Sequence, residues 1–100
     1  MLFAAYANLI EEPRLLLRFE DVYYAYRRQM LQVAKRVLQD QCAAEDAVHD
    51  AFLGIARNMA TVAKLREDEV RYYALRAAQN AARNLLRDTR RELPLESVKV

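Results

Sequence analysis

Residues 19–40 read FEDVYYAYRRQMLQVAKRVLQD, and their spacing decides the fold. Phe19, Val22, Tyr23, Tyr26, Met30, Val33 and Val37 return every three or four residues, which lines apolar side chains along one face of an α-helix. The pattern predicts one long helix reaching about Gln39. The rest of the chain agrees: among 100 residues there are one Gly and two Pro, and β-branched residues are few beside Ala, Leu and Arg, which favour helix. The expected fold is all-α, a single small bundle of about four helices.

Before the long helix, Leu2, Phe3, Tyr6, Leu9 and Ile10 also recur at helical spacing, predicting a short first helix that ends near Glu12 and Pro13. After it, Asp40 to Cys42 reads as a short turn. Glu45 and Asp46 are then placed in the first turn of a third helix, where negative charge suits the exposed amides. That helix is expected to reach about Ala60. A polar stretch around Lys64 to Asp68 follows, and Glu67, Asp68 and Glu69 mark the start of a fourth helix. It runs to about Arg91 or Glu92 and stops before Pro94, because the residue preceding a proline is steered away from helix. Residues 1–92 read as one domain and residues 93–100 as the start of a linker or tail. No repeat or low-complexity segment interrupts the chain.

A chain this short buries about two thirds of its unfolded surface, which leaves little room for an enclosed active site. With 54% hydrophobic and 30% charged residues, it reads as a folded soluble domain rather than a disordered one. The lone Cys42 has no disulfide partner and no zinc spacing surrounds it, so a reducing, cytoplasmic setting is expected. The apolar start lacks a basic leader and falls short of the ~20 residues a membrane span needs. No signal peptide, membrane anchor or cofactor is expected. Net charge is only +2, but it is unevenly spread. Acids occupy residues 40–50 without Lys or Arg, whereas between Arg71 and Arg91 the charges are Arg71, Arg76, Arg83, Arg87, Arg90 and Arg91 against Asp88 alone. The chain has an acidic element and a basic one.

Projected at about 100° per residue, the third helix carries Val48, Ala51, Phe52, Ile55 and Met59 on its core side. Asp46, His49, Asp50, Leu53 and Arg57 share the opposite side, an acidic stripe with a leucine at its centre. Asp46 and His49 have the acid-x-x-His spacing of carboxylate-bridged metal bundles. A metal site would need further inward-facing ligands, and the chain has no second histidine, so no metal is expected. Nor does His49 have a nucleophile to serve in proton transfer. Two readings stay open: a solvated face, or a docking surface whose apolar centre is ringed by orienting charges.

The same projection of the fourth helix gathers Tyr73, Arg76, Asn80, Arg83, Asn84, Arg87 and Arg91, with Arg90 beside them. Leu75, Ala78, Ala82 and Leu85 face inward. Arg neutralises phosphate, Asn pairs with base edges and Tyr stacks on bases, so the stripe suits nucleic acid. Asn has poor helix propensity, and two of them at an exposed helical face cost several tenths of a kcal/mol each with no packing return. The plainer alternative is an exposed helix with cations near its C-terminus. Tyr72 and Tyr73, with the loop before them, are placed to hold an unstacked base, although Tyr72 reads equally as a core residue and is expected to be buried.

Taken in order, FEDVYYAYRRQMLQVAKRVLQD, AAEDAVHDAFLGIARNM and RYYALRAAQNAARNLLRDTRRELPLES resemble a bacterial RNA polymerase sigma factor of the extracytoplasmic-function type, in its first globular domain. AEDAVHDAF is the most specific segment. The resemblance implies that Asp46, His49, Asp50, Leu53 and Arg57 dock on a coiled coil of the largest subunit of core RNA polymerase. It also implies that the last helix reads the minus-ten element on single-stranded promoter DNA, through Tyr73, Arg76, Asn80, Arg83, Asn84, Arg87, Arg90 and Arg91, and traps a flipped base in the preceding loop.

His49 stands where such proteins more often have Gln, and Asp50 where Glu is common. Asn80 matches the family's R-N-x-x-x-D pattern, while Gln79 replaces its Arg and Asn84 its Asp, which alters the expected base preference. Complete members continue into a second domain that reads the minus-thirty-five element. Here the linker only begins, as in a shortened chain or an unusually short relative. An inhibitory anti-sigma partner often accompanies such proteins. No enzymatic activity is expected. The competing expectation is an interaction module that occupies the polymerase docking site without reading DNA.

Overall fold

A computed structural model describes residues 4–92 of the chain, and side chains as far as Arg90. All regular elements among the described residues are α-helices: α1 (Ala4–Ala7), α2 (Pro13–Leu38), α3 (Gln41–Arg57), α4 (Met59–Val62) and α5 (Glu67–Glu92). The all-α expectation holds, with α2, α3 and α5 as the body of the bundle and α1 and α4 as single turns. The expected linker at residues 93–100 and Pro94, together with Leu2 and Phe3 of the first helix, lie outside the described residues.

Pro13 begins α2 rather than ending the first helix. It occupies the first helical turn after Glu12, where a missing N–H costs no hydrogen bond and the fixed φ is already helical. Among the described residues the first helix is one turn, Ala4–Ala7, continued by short turn bonds from Leu9 N–H to the Tyr6 carbonyl (2.9 Å) and from Ile10 N–H to the Ala7 carbonyl (3.2 Å). Tyr6 and Ile10 are buried and tie this segment to the bundle.

α2 ends at Gln39, which adopts the left-handed conformation (φ 55°, ψ 31°) and donates its N–H to the Lys35 carbonyl at 2.7 Å. Asp40 is extended and caps α3, its side chain accepting from the Cys42 N–H at 3.2 Å. Asp40 is thus the cap rather than part of a loose turn. Glu45 and Asp46 therefore sit one turn further along α3 than expected.

α3 stops at Arg57, short of Ala60. Asn58 N–H is shared between the carbonyls of Gly54 (3.2 Å) and Ile55 (3.1 Å), and the Asn58 side-chain amide takes the Gly54 carbonyl again at 3.1 Å. An Asn side chain that competes for backbone acceptors in this way breaks a helix. At the head of α5, the Arg66 N–H donates to Glu69 Oε1 at 2.9 Å, half of a capping box.

The core is asymmetric. α2 and α3 supply the bulk: Phe19, Met30, Phe52 and Ile55 are all but fully buried, and Tyr23 and Phe52 rings stand 4.7 Å apart. α5 supplies mainly Val70, Ala74, Ala78 and Ala82, each at most 1% exposed. Small side chains on that row let α5 lie close against both neighbours, since interaxial distance follows the size of the contact residues.

Candidate docking and nucleic-acid surfaces

With its register set by Asp40, α3 buries Ala44, Ala47, Val48, Ala51, Phe52 and Ile55. Asp46, His49, Asp50 and Arg57 are exposed on its other side. Leu53 is half-buried and packs against the core, so it is an anchored apolar patch rather than a leucine standing in solvent. The row has two different flanks. On one, Tyr6 Oη lies 2.8 Å from His49 Nδ1, and Arg57 lines a groove with Leu9, Ile10, Glu11 and Glu12 of the N-terminal segment. On the other, Asp50 opens onto a cleft between α3 and α5.

That cleft also divides the stripe expected on α5. Tyr73, Asn80, Asn84 and Asp88 line it opposite Asp50, Gly54 and Asn58. Arg76 lies on the α2 side, sharing a hollow with Val33, Arg71, Tyr72 and Gln79. Arg83, Arg87 and Arg90 continue along the exposed surface around Leu86. The asparagines and the arginines therefore form two parallel rows, one against α3 and one outward. Arg91 belongs to the helix, but its side chain is outside the described residues.

The two tyrosines exchange their expected environments. Tyr73 is half-buried against the core, with its hydroxyl 3.5 Å from Asn58 Nδ2. Tyr72 is 68% exposed, although the sequence places it in the core. α3 and Asn58 cover the ring on their side of α5, whereas the α2 side offers only the hollow beside Val33. The ring left open to solvent is Tyr72, flanked by Arg71 and Arg76. Arg71 is itself held to α2 by its Nε, which donates to Gln29 Oε1 at 3.2 Å.

The loop entering α5 is clamped to α2 by a cluster that spacing alone did not reveal. The buried Tyr26 donates its hydroxyl to the Glu67 carboxylate, and Arg18 Nη2 donates to Glu67 Oε1 at 2.9 Å. The Tyr26 bond, then the Arg18 bond, hold the Glu67 carboxyl below its ordinary range. Burial, reinforced by the bond to Glu67, pushes the Tyr26 hydroxyl up. The cluster spans roughly half the chain, from residue 18 to residue 67, so no local period announces it.

Among the described residues, no group of three or more His, Cys, Asp or Glu side chains comes together to hold a metal, and no helix is long and apolar enough to cross a membrane.

Compared with known proteins, residues 22–92 match the Sigma-70 region 2 family. No curated protein and no solved structure matches. The match runs from the core face of α2 through the acidic row of α3 and both rows of α5, leaving α1 and the start of α2 outside it. The family is one of transcription-initiation factors that interact with core RNA polymerase and promoter DNA, not one of catalysts. On that match, over most of its length, the chain belongs to the sigma-70 family as a region 2 domain.

Proposed function

We propose that this domain, of the extracytoplasmic-function type, docks on the coiled coil of the largest polymerase subunit through α3 and engages the melted minus-ten element of promoter DNA through α5. The observation that carries the reading is the accessibility of both rows in one region 2 domain. Asp46 and Asp50 stand outside the core on α3, and Arg76, Arg83, Arg87 and Arg90 stand outside it on α5. A cationic partner with an apolar residue fits α3: Asp46 and Asp50 orient it, and the exposed part of Leu53 supplies dry contact.

On α5 the arginine row follows the phosphates, while Asn80 and Asn84, set back in the cleft, meet base edges. Tyr72 takes the stacking role expected of Tyr73. Asp50 and Asp88 at the same cleft repel backbone phosphate, which keeps the strand on the arginine side. Each phosphate contact on a single strand contributes a salt slope of only about 0.7. A row this short therefore holds DNA weakly until polymerase presents the strand, and the domain acts as part of the assembled enzyme in the cytoplasm. An anti-sigma factor that masks either row would silence it.

The test is a non-template-strand oligonucleotide retained by core polymerase assembled with this protein. Tyr72→Ala is expected to weaken retention by about 1–3 kcal/mol, the value of one base stacked on an aromatic ring. The pair Arg83→Ala, Arg87→Ala is expected to weaken it further and to flatten its salt dependence. Both variants are expected to assemble with polymerase normally. Unchanged retention in both would leave an interaction module that occupies polymerase without reading DNA.

A further inference from the structure

Tyr6 lies outside the residues that match the family, yet it reaches into the proposed docking row. Its ring is 4% exposed and packs in the aromatic cluster, with centroids 5.1 Å from Phe19 and 6.1 Å from Phe52. Phenylalanine would keep these ring contacts with Phe19 and Phe52. The hydroxyl adds something the core does not need: it sits 2.8 Å from Nδ1 of His49, forty-three residues away, on the surface of α3. The two rings are also in contact, their centroids 5.3 Å apart.

We propose that Tyr6 is a positioning residue for polymerase docking, fixing the ring and the tautomer of His49 so that the histidine presents Nε2–H as a donor in the row Asp46–His49–Asp50–Leu53. The inference rests on the docking role proposed for α3. Burial, first, and then Tyr23 push the Tyr6 hydroxyl above its ordinary range, so it remains protonated and able to donate. A neutral imidazole that accepts at Nδ1 must carry its proton on Nε2, at the far edge of the ring. Ile10, buried like Tyr6, anchors the segment that carries Tyr6. The partner chemistry follows: alongside the cations that face Asp46 and Asp50, the docking helix offers His49 a hydrogen-bond acceptor.

The experiment titrates core polymerase with the full chain in a double-mutant cycle of Tyr6→Phe and His49→Ala, with ¹⁵N imidazole spectra of the free protein. Tyr6→Phe keeps the ring and removes one hydrogen bond, so affinity is expected to fall about fivefold, the equivalent of about 1 kcal/mol. In the His49→Ala background the same change is expected to have no effect on affinity, because its route is gone. The spectra are expected to move from a single Nε2–H tautomer toward a mixture. A merely structural Tyr6 would lower affinity equally in both backgrounds and leave the tautomer alone, and either result overturns the inference.

Asp46→Arg, Asp50→Arg serves as the control arm. If it removes binding while Tyr6→Phe is silent, the positioning role falls and α3 docking stands. If it leaves binding intact, both fall together.

Discussion

Gln39 holds a conformation that favours glycine. Its φ of 55° costs an L-residue roughly 1–2 kcal/mol relative to right-handed helix, and the residue persists there because its N–H closes α2 while Asp40 opens α3. Gln39→Gly is expected to stabilise the fold by about 1 kcal/mol, less the entropy glycine adds to the unfolded chain. Thermal melting should rise by up to about 4–8 °C, and a fall would mean that the Gln39 side chain makes a contact worth more than the strain. Individual residues were unevenly legible. The exposure of Asp46, His49 and Asp50 follows from helical angle alone. The exchange of Tyr72 and Tyr73 does not: the rings are adjacent on α5, and which is covered depends on α3 and Asn58 rising beside one of them.

The C-terminal limit of α2 and the extent of α5 were readable because each carries a long apolar period, and the three acids at Glu67–Glu69 mark the head of α5 where the structure begins it. Pro13 was legible as punctuation but not in sign, since proline both ends helices and opens them. The break at Asn58 was hidden because one side chain bonding back to Gly54 makes it, with no change in the apolar period.

The clamp of Arg18, Tyr26 and Glu67, which ties the head of α5 to α2, has a pH signature. The folded-state carboxyl of Glu67 is depressed below its ordinary value of 4.5, so its contribution is fully present above that value and fades as pH falls through the folded value. The raised Tyr26 hydroxyl contributes below its ordinary value of 10.0 and loses that contribution as pH rises beyond it. The Glu67 side chain is 62% exposed, so solvent screens its ion pair and the net effect is small. Glu67→Ala is expected to cost about 1 kcal/mol at neutral pH and to shallow the decline in melting temperature below about pH 4.5. An acid limb identical to that of the native protein would show that the clamp carries no charge-dependent stability.

Across the whole bundle, the feature least visible in the sequence is that the two proposed binding rows adjoin. Projection treats each helix alone, so it located an acidic face and a basic face without their relation; packing of α3 against α5 brings Asp50 to the same cleft as Asn80 and Asn84. The alanine row of α5 makes that proximity possible. Under the proposed function, a strand on α5 and a helix docked on α3 would lie side by side, with Asp50 and Asp88 at the cleft between them.

Leu53 also changes how the account is to be tested. Since it is half-buried, an Asp there would disturb the core as well as the surface, whereas Asp46 and Asp50 are exposed and tolerate reversal with little effect on stability. The deciding measurement is therefore the affinity of core polymerase for the native chain and for the Asp46→Arg, Asp50→Arg variant, with melting temperatures taken alongside. The variant is expected to keep its fold and lose at least tenfold in affinity, about 1.4 kcal/mol or more; a well-folded variant that binds polymerase as tightly as the native chain would contradict docking through α3.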